Sequence, residues 1–177
     1  MNSAMHEPGR SSHGFGGSGN PLTFERLRQC LAGNLTLQEL HAIHPDEMRA
    51  MTLYGEVLVE TGRLDQARII FEGLTALNPY IGHFYTMLGG IHLRVGRLED
   101  ALECYNHAIE CNSADQTALA GRGEILLRKG RFQEGAADLA RVIELDSGTD
   151  LETMHPATMR AMALGLLLDE ALDESDS

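Results

Sequence analysis

The residues of this chain that could do chemistry are its histidines, cysteines and carboxylates. Their spacing assembles none of them into a reactive centre. Two of the eight histidines, His41 and His44, are three apart. They could share a metal ion on a helix, but no third ligand stands near them in sequence, so neither a metal nor another cofactor is expected. The cysteines Cys30, Cys104 and Cys111 are odd in number and lack C-x-x-C spacing. That argues against a disulfide framework and for reduced thiols in a cytoplasm. The run Gly14-Phe-Gly-Gly-Ser-Gly19 would cradle a phosphate only after a strand and with a lysine, and it has neither. No G-x-S-x-G, H-E-x-x-H or Walker pattern occurs. Aspartates and glutamates are scattered as solvated helix faces. The expectation is a protein that is not an enzyme and works by shape.

Charge narrows the partners. The formal charge is −12, from 14 Lys and Arg against 26 Asp and Glu, which repels phosphate backbones and anionic membranes. The one long apolar stretch, Ala161 to Leu168, falls far short of the roughly 20 residues of a bilayer span. Met1 to Asn20 has no apolar core and does not read as a secretory signal. His92 stands where a large packing residue is usual, which predicts a core histidine.

These side chains are carried on a repeat. Gly55, Gly89 and Gly123 are 34 residues apart, as are Gly62, Gly96 and Gly130. Phe71, Tyr105 and Leu139 keep the same step, and so do Ala67 and Ala101 with Gly135. Small residues in the first and fourth of these columns let two helices approach closely. The second column caps the first helix of each pair, and the aromatic column fills the gap between repeats. An ungapped period of this length is similar to the tetratricopeptide helix–turn–helix repeat. The expected fold is all-α, an α-solenoid of three tandem repeats over 48–81, 82–115 and 116–149. Its helices are predicted near 48–61, 64–77, 82–95, 98–111, 116–129 and 132–145.

The flanks divide further. Residues 1–20 are Gly- and Ser-rich and are expected to be a disordered leader. Residues 21–47 predict two short helices, the second opened by the capping box Thr36-Leu-Gln-Glu39. The first carries the apolar stripe Leu22, Phe24, Leu27 and Leu31, a candidate dimerisation surface. Residues 150–172 predict a helix that caps the solenoid, and 173–177 an acidic tail.

In such arrays the first helices of successive repeats line a concave groove. The candidate binding residues are Thr52, Glu56 and Val59 in repeat one, and His83, Met87, Leu93 and Arg94 in repeat two. Glu124 joins them from repeat three, and Tyr80 and Phe84 shape the wall between repeats. Repeat proteins that hold a C-terminal carboxylate place Lys, Asn and Arg at inward positions. Here those positions are Thr52, Glu56, Thr117 and Gly121, so that clamp is missing.

The stretch from about Leu40 to Leu145 resembles a narrower family. The residues are Ala67-Arg-Ile-Ile-Phe71, Leu74, Leu77, Tyr80-Ile-Gly-His-Phe84, Leu88-Gly89, Gly96, Ala101 and Tyr105. The family is that of the type III secretion chaperones of the translocator class, the low-calcium-response H or SycD-like proteins. The resemblance implies a cytoplasmic, non-enzymatic chaperone that holds hydrophobic translocators by an extended segment in the groove. It also implies a homodimer built with the N-terminal helices. Where the family tends to place aromatics, this chain has Thr52 and Glu56. The alternative reading is a general tetratricopeptide scaffold in another bacterial assembly.

Overall fold

The computed structural model describes residues 24–150 and 152–175, with backbone alone at residues 24, 27 and 168–175. The expected leader and Leu22 lie outside the described residues. The described residues form helices and connecting turns, with no strand among them. In order the helices are α1 (Phe24–Leu31), α2 (Leu37–Leu40), α3 (Pro45–Glu60), α4 (Leu64–Leu77) and α5 (Gly82–Arg94). They continue with α6 (Leu98–Cys111), α7 (Gln116–Arg128), α8 (Phe132–Leu145) and α9 (Pro156–Ser175).

Local chemistry explains the ends. The Thr36 hydroxyl accepts from the Glu39 N–H, and the Glu39 carboxylate accepts from the Thr36 N–H, closing the capping box on α2. His44 does the same work for α3. Its Nδ1 accepts from the Asp46 N–H, and the Glu47 carboxylate accepts from the His44 N–H. With Pro45 at the first helical position, α3 starts three residues before the boundary read from the repeat. Each first helix ends on a left-handed glycine: Gly62 at φ +76°, Gly96 at φ +80° and Gly130 at φ +75°. The residue after each glycine donates back five residues, as Arg63 does to the Leu58 carbonyl at 2.8 Å.

The helices pair as α3 with α4, α5 with α6 and α7 with α8, and the pairs stack in chain order. Tyr105 shows why the columns are spaced as they are. Its ring is buried between Gly89 of its own repeat and Gly121 of the next, and a Cβ on Gly89 would lie 2.6 Å from the ring. Phe71 sits against Gly55 in the same way. The guanidinium of Arg122 on α7 donates twice to the Asp138 carboxylate on α8, both bonds at 2.8 Å. His92 is buried, and among the described residues nothing hydrogen-bonds its Nδ1.

The last helix, α9, covers the end of the stack. Ala157, Thr158 and Ala161 are buried, packed against α7 and α8. The helix runs on to Ser175, past the boundary drawn at 172 for an acidic tail. No Gly or Pro interrupts Asp169-Glu-Ala-Leu-Asp-Glu174, and alanine, leucine and glutamate are good helix formers.

Candidate peptide-binding groove

The curvature of the array follows from which helices touch. α3 meets α5, α5 meets α7, and α7 meets α9. Among the described residues α4 does not meet α6, nor α6 meet α8. The first helices therefore crowd on the inside of a curve, and the second helices splay on the outside. The inner row is the concave surface of the solenoid.

A cavity of about 420 Å³ opens on this row. Met48, Leu53, Ile81 and Phe84 supply its apolar wall, and Thr52 and Glu56 supply polar atoms. The Thr52 hydroxyl donates to the Met48 carbonyl at 2.9 Å, so its proton is spent within α3. Two side-chain bridges tie α3 to α5, the first from Glu56 of the cavity wall. Glu56 Oε1 and His83 Nε2 are 2.8 Å apart, and Arg94 Nη1 donates to the Val59 carbonyl at 2.8 Å.

The same register position carries a second bridge further along. Glu124, two repeats after Glu56, is only 8% exposed. It accepts from Arg160 of α9 and pairs with Arg128 one turn on. Repeat two has Gly90 at this register position, so the groove carries an acid–base pair towards each end and a small residue between them.

Three of the residues expected to bind, Thr52, Glu56 and Phe84, come together in the cavity. His83 is joined to it through Glu56, and Arg94 is bound to the Val59 carbonyl, neither of them a lining residue. Val59 and Met87 are half-buried against the core around Phe71 and Leu88, and Leu93 packs against the core around Tyr105. All three are largely packing residues. Tyr80 is exposed and lines a separate recess with Gly33, Thr36, Glu39 and Asn78, so it stands apart from the cavity. Glu124 lies at the α9 end. Sequence reasoning missed Met48, Leu53, Ile81 and Arg160. Leu53 sits between two inward register positions on α3 and could have been found there. Arg160 had no such signal, because residues 146–155 break the period before α9. Of the stripe expected to form a dimer, Leu31 is 82% exposed, Leu22 is outside the described residues, and Phe24 and Leu27 are described by backbone alone.

The sequence matches the tetratricopeptide repeat family over residues 26–80 and 86–149, more than half of the chain. The chain belongs to the tetratricopeptide repeat family. Its structure is similar to a type III secretion complex from Aeromonas hydrophila, with a TM-score of 0.71 and 20% identity, over 86% of this chain and 98% of the other. It is also similar to the Yersinia enterocolitica type III secretion chaperone SycD solved with a peptide of the translocator YopD. There the TM-score is 0.60 and the identity 21%, over 70% of this chain and 96% of the other. Among curated proteins, the zebrafish (Danio rerio) protein unc-45 homolog B is 29% identical over 84 residues, 45% of this chain. The match spans only 9% of the length of that curated relative. The tetratricopeptide array has no helix among its described residues that is long and apolar enough to cross a membrane.

Proposed function

We propose that this tetratricopeptide protein is a chaperone of type III secretion translocators. It grips an extended hydrophobic segment of its client along α3 and α5 and holds it, without catalysis, before secretion. The observation that carries this reading is the cavity walled by Met48, Leu53, Ile81 and Phe84 on the inner row of helices. It supports apolar anchoring of an extended chain, with backbone and polar contacts to Thr52, Glu56 and His83. The likeness to a chaperone solved with a translocator peptide supports the client class. The site of action is the cytoplasm, and the working form is a homodimer joined through α1, where Leu31 stands almost fully in solvent. The net charge of −12 supports a protein partner over a nucleic acid.

The test is affinity for a labelled translocator segment by fluorescence anisotropy. Leu53 is 56% exposed, so Leu53→Glu puts a charge in the cavity with little cost to the fold. It should weaken binding by roughly 1–3 kcal/mol, the range for losing an interface anchor. Unchanged affinity, with the helical circular dichroism spectrum retained, would remove the cavity from the account.

A further inference from the structure

A second cavity, of about 340 Å³, lies where α7 meets α9 and is lined by Thr117, Ala120, His155, Pro156, Ala157 and Arg160. Thr117 and Ala120 hold inward register positions of the third repeat, so this cavity continues the concave surface past the third repeat. The chemistry of its wall is that of donors. His155 Nδ1 accepts from the Ala157 N–H at 3.1 Å. A neutral imidazole with an accepting Nδ1 carries its proton on Nε2, which is then a donor. The imidazole is anchored, because the His155 backbone N–H is held by the Asp146 carboxylate at 2.9 Å. Arg160 brings a guanidinium whose bond to Glu124 is made through Nη2 alone. Glu124 is shared between Arg160 and Arg128, so two guanidinium groups face one carboxylate. With the Asp146 carboxylate beside His155, two carboxylates stand with the two guanidinium groups, so what the wall offers a ligand is N–H donors rather than a surplus charge. Thr117 adds a hydroxyl, and Ala120, Pro156 and Ala157 leave room for a short aliphatic stem.

We propose that this cavity is a carboxylate subsite, which receives a glutamate or aspartate side chain of the bound client segment and so sets the direction in which the segment lies. The inference rests on the client-binding reading above and adds the chemistry of one client residue. Donor geometry selects that occupant: a planar guanidinium and a ring N–H are matched by the two acceptor oxygens of a carboxylate. The acidic residues of this chain's own C-terminal helix are poor competitors. α9 is continuous from Pro156 to Ser175, and at about 1.5 Å per residue Asp169 lies roughly 14 Å along the axis from Arg160. Client affinity then divides between apolar anchors at the α3–α5 cavity and an ionic contact some two repeats away.

The experiment uses the full-length chain labelled with nitrogen-15 and titrated with sodium propionate, against propionamide at matched ionic strength. Propionate should give saturable amide shifts at Thr117, Ala120 and Ala157, and propionamide should give none. Arg160→Gln should abolish the response and Arg160→Lys should keep part of it. Thr117→Val, which leaves the Glu124 pair intact, should weaken it several-fold and covers the case in which Arg160→Gln fails to fold. Equal responses to acid and amide, or a propionate response indifferent to Arg160→Gln, overturn the subsite. With a translocator segment in hand, neutralising its acidic residue to Gln should cost about tenfold in affinity to the parent and nothing to Arg160→Gln. A segment that binds with no such loss overturns the subsite and leaves the client reading standing. A chain that takes propionate and binds no translocator segment overturns the client reading alone.

Discussion

Replacing Gly89 by alanine tests the packing argument at its tightest point. The added Cβ would lie 2.6 Å, 2.7 Å and 3.0 Å from three ring atoms of Tyr105, where carbon atoms normally rest about 3.5 Å or more apart. The ring must retreat by about 1 Å, and it has nowhere to go. It is 2% exposed, and Gly121 of the next repeat presses on its other side. Overpacking of this kind costs about 1–3 kcal/mol. Alanine recovers about 1 kcal/mol of helix propensity over glycine. The net loss should therefore be about 0–2 kcal/mol, towards the upper end for a ring confined on both sides. Gly73 on α4 supplies the internal control, because a Cβ there meets nothing within 4 Å among the described residues. Gly73→Ala should gain about 0.5–1 kcal/mol from propensity alone. Urea unfolding followed by circular dichroism at 222 nm reads both, and each kcal/mol should move the thermal midpoint by about 2–4 °C in a chain of this size. The same substitution should thus act with opposite sign at two helical glycines. If Gly89→Ala is as stable as Gly73→Ala, the ring is not confined and the repeat contact is misread.

Two further outcomes follow from single side chains. Burial, and secondarily Arg97, hold the pKa of His92 below its ordinary 6.5, so below that pH the unfolded chain binds a proton that the folded chain refuses. Stability should fall as pH drops below 6.5 towards the folded value, and His92→Leu should flatten that part of the pH profile in urea titrations. Leu31→Glu should shift the chain from dimer to monomer in light scattering at tens of micromolar. An unchanged mass would place the dimer contact elsewhere.

The repeat was legible because its constraints are local and periodic. Gly62, Gly96 and Gly130 mark helix ends that only a left-handed residue completes, and the small-residue columns mark helix contacts that tolerate no side chain. Boundaries set by individual caps were harder to see. The cap at His44 moves the start of α3 back to Pro45, and a helix-forming run carries α9 to Ser175. The groove was legible in part. Register positions placed Thr52 and Glu56 on the inner surface, and Phe84 was expected only in the wall between repeats; register does not tell which inward residues the neighbouring repeat covers. Val59, Met87 and Leu93 turn out half-buried in the packing. Tyr80 sits beyond the edge of α5, in a connection whose path depends on Asn78, whose carboxamide oxygen accepts from the Tyr80 N–H at 3.1 Å. Arg160 could not be read at all, since its place beside Glu124 depends on how α9 returns after a loop that carries no repeat signal.

The central claim is that the client lies on the inner row of helices. A photo-crosslinking amino acid tests it most directly when installed at Leu53 on the inner α3 and, separately, at Ile69 on the outer α4. Both side chains are well exposed, at 56% and 61%, so accessibility alone does not favour either. With a translocator segment bound to the full-length chain, irradiation should crosslink it from position 53 and not from position 69. Crosslinks from position 69 with none from 53 would place the client on the convex face and contradict the account.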